Sequence, residues 1–147
     1  MVEPIMNEIE LQEQMMTLVR TFGLHKPEET PCGQPVTVAE AYTLTELAKE
    51  KQLSQNELVQ RLNLAKSTVS RMVNKLGKRG WIARERSPAD GRIWLLSLTE
   101  AGENAAINLT QARQVKFSQL LTNIPQEEQD NVLHALEILI QAMRQND

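Results

Sequence analysis

The chain has 147 residues, with 16 Lys and Arg against 19 Asp and Glu for a net charge of −3, a hydrophobic content of 41% and an aromatic content of only 3%. That length suits one domain with a real core, and an aliphatic, aromatic-poor composition favours helices over a large sheet. A single cysteine excludes an internal disulfide and a four-thiolate metal centre. There is no run of about 18 apolar residues and no basic leader with an apolar segment, so a cytoplasmic protein without a membrane partner is expected.

From the N-terminus, Ile5, Ile9, Met15, Met16, Val19 and Phe22 recur near helical spacing. They predict an amphipathic helix over residues 4–22 that needs a partner surface. Gly23, Pro27, Pro31, Gly33 and Pro35 then break the pattern and predict a long loop over residues 23–35, of a length that often carries function. From Thr37 the spacing is helical again, with Ala41, Leu44, Leu47 and Ala48 facing in as far as Lys51, and Leu53 follows as a short strand.

Residues 54–80, SQNELVQRLNLAKSTVSRMVNKLGKRG, read as two short helices around a tight turn. Ser54 with Glu57 three residues on is a capping box that starts a helix at Gln55, burying Leu58 and Leu62. Asn63, Leu64 and Ala65 make the turn, with Leu64 filling the angle. The second helix spans residues 66–79 and stops at Gly80, which accepts a left-handed cap. Its inward stripe is Val69, Met72, Val73 and Leu76, which leaves Ser67, Thr68, Ser70, Arg71, Asn74, Lys75 and Lys78 outside. Small hydroxyls and free N–H groups at the helix start suit phosphate, while Arg71 and Asn74, one turn on, are placed to reach base edges. The plain alternative is a surface helix with a solvated polar face.

Residues 81–87 and 92–98 alternate as two strands, with Trp94, Leu96 and Leu98 on one face and Ile93, Leu95 and Ser97 on the other. The connecting Pro88-Ala89-Asp90-Gly91 contains an Asp-Gly turn signal. A ribbon directly behind such a helix is a wing, with Arg92 at its tip and Arg84 and Arg86 on the incoming strand. Within residues 66–92, eight lysines and arginines stand against Glu85 and Asp90, a local charge of +6, so the rest of the chain carries −9. A basic face of that kind guides a phosphate backbone whatever the net charge.

Thr99 caps a further helix with Glu100 and Glu103 in its first turn, running to about Leu121 through Ala105, Leu109, Ala112, Lys116 and Leu120. Pro125 begins the last helix, whose Val132, Leu133, Leu136, Leu139, Ile140 and Met143 make a broad apolar stripe. These helices and the first expose more apolar surface than a small winged unit covers, which predicts a homodimer.

The segment LSQNELVQRLNLAKSTVSRMVNKLGKRGWI, together with Asp90-Gly91-Arg92 ahead of Leu98-Thr99, resembles the MarR family of bacterial winged helix-turn-helix transcription regulators over residues 38–103. The resemblance implies a mainly α fold. Residues 1–36 supply a dimerisation helix and loop, residues 37–99 the winged DNA-binding region, and residues 100–147 the C-terminal dimerisation helices of one intertwined domain. It implies a repressor that binds a pseudo-palindromic double-stranded operator and is released by a small-molecule effector or another signal. Carried over, Ser67, Thr68, Ser70, Arg71 and Asn74 contact the major groove with Lys75 and Lys78 beside them. Arg92 enters the minor groove flanked by Arg84 and Arg86, and Asp90 braces the wing by pairing with a helix arginine. Two departures from the family pattern are Gly77 in mid-helix and Ile124 where a Ser or Thr cap is usual.

Some regulators of this kind sense oxidants through a thiol near the first helix with tyrosine partners, and Cys32 is the one candidate here. It falls in the proline-rich loop, and Tyr42 is the single tyrosine, so a small loop residue is the plainer reading. His25, Cys32 and Glu40 are the only grouping that suggests a metal, and neither a metal site nor a cofactor is expected. Catalytic signatures are absent, so an enzyme is disfavoured. The rival function is a winged helix used as a protein-interaction adaptor, which has no need of an outward basic face.

Overall fold

The structure, a computed structural model, describes residue 2 and residues 5–146. Its elements are α1 (Glu8–Phe22), α2 (Val38–Glu50), β1 (Leu53–Ser54), α3 (Gln55–Leu62), α4 (Lys66–Lys78), β2 (Ile82–Arg86), β3 (Trp94–Leu98), α5 (Glu100–Thr122) and α6 (Gln126–Arg144). They fall into two compact units, residues 1–112 and 113–147.

In the first unit, α1 starts later than its apolar spacing suggests. Asn7 and Glu10 form a capping box, Asn7 Oδ1 accepting from the Glu10 N–H at 2.9 Å, and this reciprocal cap fixes the boundary. Pro4, the expected start, lies outside the described residues. Residues 24–36 contain no helix or strand, and Thr37 caps α2 through its hydroxyl. Helix α2 buries Ala41, Thr43, Leu44 and Leu47. Ala48 is exposed, against the sequence expectation, because the buried stripe of α2 continues from Leu44 to Leu47 and not to its neighbour.

Ser54 and Glu57 cap α3 reciprocally, and Asn63 ends it at φ 51°, a left-handed conformation that asparagine tolerates better than most residues. Leu58 is fully buried, whereas Leu62 and Leu64 pack half-buried against the core. Arg61 ties α3 to α2 at the surface, its guanidinium 2.7 Å from Glu46 and 3.2 Å from Glu50, and these two carboxylates raise its pKa.

The sheet has strand order β1-β3-β2, all antiparallel. Leu53 pairs with Leu96 on one side of β3, and Ile82, Arg84 and Arg86 face Leu98, Leu96 and Trp94 on the other. The core gathers Leu47, Leu53, Leu58, Val69, Met72, Val73, Leu76, Ile82 and Leu96, so one residue set seats α4 against both α2 and the sheet. Fully burying side chains of this kind contributes about 1.5–3 kcal/mol each.

The junction from the sheet to α5 is close-packed. Thr99 donates its hydroxyl to the Gly80 carbonyl and accepts from the Gly102 N–H at 3.1 Å, and its own N–H reaches the Trp81 carbonyl at 3.0 Å. Gly80 sits at φ 80°, where a side chain is strained, and a Cβ on Gly102 would lie 2.0 Å from the Trp81 carbonyl oxygen. Gly77 differs: a Cβ there meets only the Ile82 carbonyl, at 3.8 Å.

The second unit holds the end of α5 and all of α6. Pro125 is the N-cap of α6 rather than its first residue, with no side-chain cap bond, and Gln129 instead satisfies carbonyls at the end of α5 and the turn after it, donating to Leu121 and Ile124. Helix α6 buries no residue within the chain, and Leu133, Leu136, Ile140 and Met143 are 59%, 43%, 44% and 47% exposed. Helix α1, in the first unit, likewise buries none.

Candidate nucleic-acid interface

Helix α4 carries the residues singled out by sequence. Its four-residue inward stripe is buried at 7% exposure or less, which locks the rotation of the helix and leaves Ser67, Arg71, Asn74, Lys75 and Lys78 exposed, with Thr68 and Ser70 half-buried on the flanks. Ala65 caps it without a side-chain bond, so the first N–H groups beside Ser67 and Thr68 remain available to an anion. Arg71, Asn74, Lys75, Lys78 and Arg79 line one shallow depression. Asn74, Gly77, Lys78, Ile82 and Arg84 line the next, which joins α4 to the wing.

In the wing, Arg86 and Arg84 sit over the Trp94 ring at 3.8 and 5.0 Å, as their shared face of the hairpin requires. Stacking fixes both guanidiniums against the ring without neutralising their charge. At the tip, the Ser87 hydroxyl accepts from the Ala89 and Asp90 N–H groups and shapes the turn. Asp90 does not reach a helix arginine. It accepts from Arg92 Nε at 3.1 Å, Nη2 at 3.1 Å and the Arg92 backbone N–H at 3.0 Å, since the chain reversal brings these neighbours face to face. This fork holds the Asp90 carboxyl below its ordinary range, while the Arg92 side chain stays 91% exposed.

The loop candidates stay apart. Cys32 is a half-buried free thiol, and no group of three potential metal ligands occurs among the described residues. Glu40 turns toward α4 and not toward His25 or Cys32, with Oε1 3.0 Å from Lys75 Nζ.

Comparison with known proteins agrees with this geometry. A sequence model described as the MarR family matches residues 34–93, the segment that holds every α4 residue and every wing arginine named above. An uncharacterized HTH-type transcriptional regulator of Bacillus cereus is 30% identical over 102 residues, covering 69% of this chain and 67% of its own. The chain belongs to the MarR family. The HTH-type transcriptional repressor MdtR of Bacillus subtilis is 28% identical over 142 residues, covering 95% of this chain and 88% of its own. Among solved structures, Streptococcus pneumoniae FabT in complex with DNA superposes with a TM-score of 0.76 at 18% identity, covering 96% of this chain and all of FabT, a likeness of fold.

Three roles in this MarR-family chain escaped the sequence reading. Trp94 was legible as the cross-strand partner of Arg86 once the hairpin register was fixed. Glu40 reads locally as an acid in a first helical turn, and its contact with Lys75, 35 residues away, leaves no local signal. Gly102 gives none until Trp81 is placed against it.

Proposed function

We propose that the chain is a cytoplasmic transcriptional repressor. As a homodimer it binds a pseudo-palindromic double-stranded DNA site, and a small effector or other signal releases it. The observation that carries the reading is one continuous polar face from α4 to the wing, in which Arg71, Asn74 and Lys78 are exposed and Arg84, Arg86 and Arg92 are oriented by Trp94 and Asp90. Ser67, Thr68 and Ser70 with the free N–H groups of α4 approach phosphates, Arg71 and Asn74 read base edges, and Lys75 and Lys78 flank them. Arg92, aimed by Asp90, enters the adjacent minor groove, with Arg84 and Arg86 behind it. The part played by FabT with DNA, and the name of MdtR as a repressor, support this assignment. The action is binding and not catalysis.

Dimerisation belongs to the same reading. The apolar stripes of α1 and α6 are covered by a second copy, so residues 1–36 and 100–147 frame a winged region of residues 37–99 in one intertwined domain. Two copies present two recognition helices to successive major grooves. Selection of bound fragments from a random DNA pool tests the proposal. An inverted-repeat consensus is expected, and recovery of no consensus contradicts it.

A further inference from the structure

A buried carboxylate lies against the basic face. Glu40, the third residue of α2, is 2% exposed. Its backbone N–H donates to the Thr37 cap at 3.1 Å, and its side chain points to α4. Oε1 accepts from Lys75 Nζ at 3.0 Å. Oε2 lies 3.6 Å from Arg79 Nη1, an ionic contact just beyond hydrogen-bond reach, which leaves that buried oxygen without a hydrogen-bond partner. The Trp81 ring holds Arg79 from another side, 4.3 Å from the guanidinium carbon. Lys78 and Arg71, on the same helix, have no ion pair among the described residues. Two kinds of cation therefore share one helix surface: a pair tethered to a buried carboxylate, and a pair free to meet a ligand.

Burying an ion with one bond unmade opposes folding, and a glutamine would fill the same space without a charge. What glutamine lacks is the ability to hold two cations. We propose that Glu40 is a positioning residue that sets the DNA specificity of α4: by tethering Lys75 and Arg79 it withholds their charge from indiscriminate phosphate contact and leaves discrimination to Arg71 and Asn74. The proposal rests on the DNA-binding reading above. A carboxylate buried to 3% side-chain exposure keeps its cation when DNA approaches, whereas Asp90, 34% exposed, can release Arg92, so Lys75 contributes less than Lys78 to the salt dependence of binding.

The test uses the full chain and measures binding to a random-sequence duplex and to the selected operator over a salt series. Glu40→Gln is expected to bind the random duplex roughly three- to tenfold more tightly and to steepen the slope of log K against log[salt] by about one per subunit. Operator affinity rises less, so the ratio of operator to random binding falls, and adding Lys75→Gln to Glu40→Gln removes most of the gain. A Glu40→Gln protein that melts like the wild type, yet leaves the slope and the ratio unchanged, overturns the proposal. Should that variant fail to fold, Lys75→Gln and Lys78→Gln decide the matter. A smaller slope change for Lys75→Gln supports the tether, and equal changes overturn it. Wild-type protein that binds neither duplex removes the underlying reading as well, and that result is read on the wild-type arm alone.

Discussion

Helices α4 and α6 carry apolar stripes of the same helical spacing and meet opposite fates. Val69, Met72, Val73 and Leu76 of α4 are buried by α2, α3 and the sheet of the same chain, whereas α6 buries nothing of its own. An apolar stripe states only that something must cover it, and the identity of the cover depends on what the rest of the chain places opposite. For α4 the cover is internal, so the helix is fixed and its outer face can be specific. For α6 the cover is proposed to be a second copy.

The sharpest way to break this contrast is to charge the stripe of α6. Leu136→Glu with Ile140→Glu is expected to abolish the dimer, with a loss of several kcal/mol from two large apolar groups per subunit. Light scattering of the purified protein reads the result, and a double variant that keeps wild-type mass and melting temperature would mean that α6 is not an interface.

Within the winged unit, two glycines separate close packing from mere helix propensity. Gly102→Ala forces a Cβ against the Trp81 carbonyl and should destabilise by about 1–3 kcal/mol or more. Gly77→Ala meets only ordinary contact and should stabilise by about 1 kcal/mol. Urea denaturation of both variants shows whether the signs are opposite, and equal signs would contradict the packing described at the α5 junction.

On the outer face, Arg71→Ala or Asn74→Ala is expected to weaken operator binding by about 1–3 kcal/mol and to relax preference at particular base pairs. Arg92→Ala should weaken all sites and flatten the salt slope while keeping the major-groove consensus. Site selection with each variant distinguishes them, and the reverse pattern would mean that helix and wing had been assigned to the wrong grooves.

The smallest effect concerns the wing tip. Asp90 is held below its ordinary value first by the Arg92 side chain and then by the Arg92 backbone N–H, so its ionised form is the one favoured in the fold. The stabilisation is therefore complete above the ordinary aspartate range and is lost only as pH falls through the lowered value. A carbon-13 titration of the Asp90 carboxyl should show a midpoint below 3.8, and a midpoint above it would mean that the fork is open.

What the sequence made legible was local. Ser54 with Glu57 and the stripe of α4 each lie within a few residues and stand as read, whereas the strand expected over residues 92–98 begins only at Trp94, after the Asp90 turn, and only Leu96 in it is fully buried. The same local rule was available at Asn7 and Glu10, where a capping box lay inside a pattern whose apolar spacing alone suggested a longer helix. Asp90 was legible as a brace but not in its partner, because an arginine two residues away competes better than one on a distant helix. Glu40 and Gly102 depend on contacts between remote segments, which no periodicity reports.

The face from Ser67 to Arg92 is proposed to bind DNA through its separated positive charge, despite a net charge of −3. The most direct measurement is the affinity of the dimer for its selected duplex across a range of salt. A slope of log K against log[salt] on the order of −5 or steeper is the expected result. A flat response would contradict it and would favour a winged helix that binds other proteins instead.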